Sequence, residues 1–75
     1  MRNQLKRNEP VIGGLSGLVY SASGELERHY TAVNAYTNRE LCLTFGPMRI
    51  NLSQAAAAEL AKHITQAVAA IGDDQ

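Results

Sequence analysis

The stretch Leu41-Cys42-Leu43-Thr44-Phe45-Gly46-Pro47-Met48-Arg49-Ile50-Asn51-Leu52 decides how this 75-residue chain folds. Apolar and polar residues alternate with period two on both sides of Gly46-Pro47, which is the signature of a β-hairpin with one covered face. A two-residue loop sets Phe45 opposite Met48, Leu43 opposite Ile50 and Leu41 opposite Leu52, with Thr44 opposite Arg49 and Cys42 opposite Asn51. One face is then wholly apolar and the other polar or small, and a slip of one residue would destroy that segregation. Gly46 supplies the positive φ that a primed turn needs, and Pro47 suits the position after it.

Downstream, Ser53 precedes an alanine-rich run and can cap its first free N–H groups, while Gly72 follows the last apolar position and suits a left-handed helix end. Between them Ala57, Leu60, Ala61, Ile64, Ala67, Val68 and Ile71 follow the i, i+3, i+4, i+7 rule. This predicts one amphipathic helix from Gln54 to Ile71, about 27 Å long, with Glu59, Lys62, His63 and Gln66 on its solvated side.

Upstream, the β-branched and aromatic run Leu26 to Tyr36 reads as a strand ending in the turn Thr37-Asn38-Arg39. A three-residue loop sets Ala35 opposite Leu41, Val33 opposite Leu43 and Thr31 opposite Phe45. A two-residue loop would press Asn34 into the core, where an unpaired amide costs about 1–3 kcal/mol. A further strand is expected within Leu15 to Ala22, turning at Ser23-Gly24. The fold class is therefore α+β, an antiparallel β-meander of three or four strands with one C-terminal α-helix packed on one face. The expected core is Val33, Leu41, Leu43, Phe45, Met48, Ile50, Leu52, Leu60, Ile64, Val68 and Ile71.

Residues 1–75 have room for one small domain, with 1–10 expected as a flexible basic arm carrying Arg2, Lys6 and Arg7, and 72–75 as an acidic tail carrying Asp73 and Asp74. So short a chain buries only roughly 60% of its unfolded surface, and a single cysteine allows no internal disulfide. Oligomerisation is the remaining support. The start of the chain imitates a secretory signal, but Pro10, Gly13, Gly14 and Gly17 make a poor helical segment, and no apolar run approaches the ~20 residues of a membrane span. The expected setting is cytoplasmic, with Cys42 reduced and no membrane contact.

Seven basic and seven acidic residues cancel, so the field of the whole chain does not carry the basic footprint usual for nucleic-acid binders. No cofactor or metal site is expected, since two isolated histidines with scattered carboxylates lack ligand spacing and Gly13-Gly14 with Gly17 lacks the helix start of a phosphate loop. Cys42 with His29 or His63 is the only cysteine–histidine pairing available, and strand parity keeps them apart. The expectation is a protein that is not an enzyme. It would bind a macromolecule through a sheet face or as a homodimer, in the size class common among phage and mobile-element regulators, including inhibitors of host defence.

Two surfaces follow from strand parity. Val19, Leu26, Tyr30, Tyr36 and Cys42 are expected to form an interface on the face away from the helix, covered by a second copy or by a protein partner. The alternative is a module for single-stranded nucleic acid, with Tyr30 and Tyr36 stacking on bases and Arg28 and Arg49 meeting phosphates.

Overall fold

The computed structural model describes residues 3–9 and 17–72. The central hairpin forms as its alternation dictates, with β4 (Glu40–Phe45) and β5 (Met48–Ser53) antiparallel. Phe45 pairs with Met48, Leu43 with Ile50 and Leu41 with Leu52. Gly46 takes φ 58°, the first position of a two-residue turn whose second is Pro47. The preceding strand β3 (His29–Tyr36) joins β4 through the three-residue loop 37–39, in the register that pairs Thr31 with Phe45, Val33 with Leu43 and Ala35 with Leu41. In that loop the Asn38 side chain accepts the Glu40 N–H at 3.1 Å, and Arg39 takes φ 68°.

The sheet has five strands in sequential order, one more than the upper expectation. Strand β2 runs Leu18–Leu26 and turns at Glu27-Arg28, not at Ser23-Gly24. Both turn residues lie at positive φ, 51° and 69°, so two residues that ordinarily avoid the left-handed region form the hairpin. Gly24 instead sits in mid-strand, where an added Cβ would collide with the Gln4 carbonyl oxygen. The reason is β1 (Gln4–Arg7), which pairs with β2 along Gln4–Glu25, Leu5–Gly24, Lys6–Ser23 and Arg7–Ala22. This segment was expected within a flexible arm. It is held because Asn3 Oδ1 accepts the Glu27 N–H at 2.8 Å, and Asn8 Nδ2 donates to the Ser21 and Ser23 hydroxyls at 2.9 and 3.2 Å. The Asp73-Asp74 tail and the apolar residues Val11, Ile12 and Leu15 lie outside the described residues.

Helix α1 spans Gln54–Ile71 as its periodicity predicts. Ser53 ends β5 and caps the helix, its Oγ accepting from Ala56 N at 3.1 Å. With no linker between strand and helix, the helix direction is set at this one residue. A second tie holds the same end, Gln54 N donating to Arg39 O at 2.8 Å. The helix packs chiefly on β5 and β4.

The expected core residues of the sheet do share the helix side, but within one chain they are not enclosed. Among the described residues the buried ones are Ala22, Thr31 and Ala32. Phe45, Met48 and Ile50 are each at least 40% exposed, and exposure climbs along the helix stripe from Leu60 (43%) through Ile64 (55%) and Val68 (64%) to Ile71 (72%). The gradient shows that α1 is covered best near its capped end and loses cover toward Gly72. On β2 and β3 the same side mixes Leu26 and Val33 with the small residues Ala22, Gly24, Thr31 and Ala35, so it is less bulky than the side presented by β4 and β5. The result is elongated, 46 × 29 × 21 Å with a radius of gyration of 13.9 Å, against about 11 Å for a compact chain of this length.

Candidate functional site

Between helix and sheet lies an open groove of about 470 Å³. Its sheet wall includes Leu5, Leu26, Val33, Leu43, Phe45 and Ile50, and its helix wall Ala57, Leu60, Ala61 and Ile64. No charged residue lines it, and Thr31 is the polar side chain whose strand parity turns it toward the groove. The groove follows from parity: the same alternation that gathers apolar residues on one face leaves them open when the helix covers only part of that face. His29 closes the turn end, its ring 5.1 Å from that of Phe45 in a tilted arrangement. At the far edge Arg7 lies over the Tyr20 ring, 5.0 Å from its centre. A groove walled by aliphatic and aromatic side chains can hold apolar matter.

The opposite face is built from the other parity. One row crosses all five strands as Lys6, Ser23, Ala32, Thr44 and Arg49. The next crosses four as Ser21, Asn34, Cys42 and Asn51, and Tyr30 stands in a row with Glu25 and Gln4. At about 4.8 Å per strand, Lys6 and Arg49 mark the two edges of a polar platform roughly 19 Å wide. Tyr30 is 61% exposed, while Tyr36 and Cys42 are half-buried.

The five residues expected to form one interface are therefore divided. Tyr30, Tyr36 and Cys42 share the polar face, Val19 is exposed at the irregularity between Leu18 and Tyr20 where the β2–β3 register shifts, and Leu26 lies on the groove side opposite His29. Leu26 changes face because the hairpin turns after it, placing it at the end of β2 and not at the start of β3. Arg28, expected on the strand beside Tyr30, occupies the turn itself. Arg49 keeps its place on the polar face, and Lys6 joins it there. Lys6 was missed because Gln4–Arg7 is a four-residue, mostly polar strand without a periodic signal of its own.

The cysteine and histidines do not converge. Cys42 is on the polar face, His29 on the groove side, and His63 on the helix, where its Nε2 lies 3.0 Å from Glu59 Oε2. Glu59 also meets Lys62 at 3.6 Å, so charges on the helix's solvated side satisfy one another. Among the described residues no three His, Cys, Asp or Glu side chains gather as metal ligands would, and no helix is long and apolar enough to cross a membrane. By architecture the chain is a small α+β protein, a five-stranded antiparallel meander followed by one helix. No protein-family model matches it, and no curated protein or solved structure shows significant similarity to it.

Proposed function

We propose that this chain is a non-enzymatic binding protein that works by burying its helix–sheet groove against another macromolecule. The observation that carries this reading is the gathering of Phe45, Met48, Ile50, Leu60, Ile64, Val68 and Ile71, all exposed, on one side of the molecule. Scattered apolar side chains are normal on a surface, but a contiguous patch facing an apolar hollow marks an interaction site. The reading carries with it a cytoplasmic setting, where the single thiol Cys42 stays reduced. A role as a regulator or inhibitor of host defence encoded by a mobile element suits the small, electrically neutral chain.

The test is retention of macromolecules on the immobilised chain, with and without nuclease treatment, beside a Met48→Glu variant. Binding through the groove predicts a specific partner, a second copy included, that the parent retains and the variant does not. A parent that neither self-associates at micromolar concentration nor retains any macromolecule ends the proposal.

A second reading is favoured by one observation, the cross-strand row that sets Lys6 and Arg49 at the edges of a polar platform beside the exposed ring of Tyr30. This arrangement suits single-stranded nucleic acid, with the ring stacking on a base and the cations meeting phosphates. Filter binding with single-stranded DNA and RNA at two salt concentrations tests it: affinity should fall steeply with salt, and Lys6→Ala or Arg49→Ala should each flatten the salt slope by about one unit.

A further inference from the structure

We infer that the occupant of the groove is a second copy of this chain, the two joined by a two-fold axis so that each helix covers the other's sheet. The inference rests on the groove being the binding surface and names its partner. The first argument is extent. Phe45, Met48, Ile50, Leu60, Ile64, Val68 and Ile71, each at least 40% exposed, run from the hairpin turn along a helix about 27 Å long, a continuous apolar surface of the kind a stable monomer rarely leaves uncovered.

The second argument is self-complementarity. Each chain carries two unmet apolar surfaces that its own geometry holds apart. One is the outer half of the helix stripe, Ile64, Val68 and Ile71, each more than half exposed; the other is the turn end of the hairpin, Phe45, Met48 and Ile50. A two-fold operation sets the stripe of one copy on the hairpin of its partner and repeats the contact in reverse, as an isologous interface requires. The uncharged groove asks for no charge on the occupant, and the stripe offers none.

Stability supplies the third. With only Ala22, Thr31 and Ala32 buried among the described residues, the single chain has little core, so the partner that completes it must be present whenever the protein is folded. A second copy meets that condition, whereas an occasional target does not.

Light scattering behind a sizing column tests the inference on the intact chain. The expected mass is twice 8.1 kDa, with a thermal midpoint that rises with protein concentration. Tyr30→Glu, on the opposite face, should leave the dimer intact. Val68→Glu and Met48→Glu should each weaken association at least a hundredfold, or leave the chain unfolded at concentrations where the parent is dimeric. A folded parent monomer at 100 µM, with a midpoint independent of concentration, overturns the inference. So does a dimer that Tyr30→Glu dissociates and Met48→Glu does not. A folded monomer that still retains another macromolecule removes the dimer and leaves the binding function standing; one that retains nothing removes both.

Discussion

Glu27 and Arg28 carry a cost that the rest of the fold must offset, since both lie at positive φ without being glycine or asparagine. Residues held in this region cost of order 1 kcal/mol or more each. Asn3 accepts the Glu27 N–H and so braces the turn from β1. Replacing the pair by Glu27→Asn with Arg28→Gly should raise stability by about 0.5–1 kcal/mol, a gain of several degrees in melting temperature for so small a chain, read by circular dichroism. Gly24 presents the converse case. Its missing Cβ is what lets the Gln4 carbonyl approach β2, so Gly24→Ala should detach β1 while leaving β3 to β5 paired. Hydrogen exchange checks this: β1 and its contacts on β2 should lose protection, and the amides of Leu41 and Leu43 should keep theirs. Sequence reading assigned Ser23-Gly24 to a turn because glycine next to serine is the commoner punctuation. That glycine is required by a neighbouring strand, and such a neighbour becomes visible only when the chain has folded.

At the scale of elements, α1 and the β4–β5 hairpin were legible because each carries a complete local code. The helix has a cap, a stripe and a terminal glycine, and the hairpin has alternation on both sides of a turn. Ser53→Ala should remove the hydrogen bond to Ala56 N and cost about 1 kcal/mol, seen as a lower melting temperature at fixed protein concentration. Ile64→Ala separates two accounts of the helix. In a lone chain Ile64 is more than half exposed, and the truncation should cost well under the 2–5 kcal/mol typical of a core isoleucine. In the proposed dimer the side chain is enclosed, and the full cost should appear in chemical denaturation. β1 had no comparable code, because four mostly polar residues give no period to read.

For the molecule as a whole, the decisive property is an unfinished enclosure. A helix 18 residues long spans about 27 Å, yet it packs chiefly on β5 and β4 and its apolar stripe becomes more exposed along its length. If the pair completes the core, dilution should unfold the protein as well as separate it. Unfolding followed by circular dichroism at a hundredfold range of concentrations should then show midpoints that shift together with the mass seen by light scattering. In the proposed dimer the groove side is the assembly surface, which leaves the polar face of Lys6, Asn34, Thr44 and Arg49 open.

From the sequence alone came the helix and its limits, the register of β3, β4 and β5, and the partition of side chains between an apolar and a polar face. All of these depend on spacing along the chain, and periodicity records spacing. Tertiary structure decided the rest: the fifth strand, the turn at Glu27-Arg28, the transfer of Leu26 to the groove side and the opening between α1 and the sheet. Each depends on how elements distant in sequence meet. The angle at which α1 leaves Ser53 is set by a cap and by the bond from Gln54 N to Arg39 O, and no pattern of apolar residues in the helix encodes that angle. An apolar stripe states that a face must be covered. Whether its own sheet or a second chain covers it depends on geometry that the stripe does not contain.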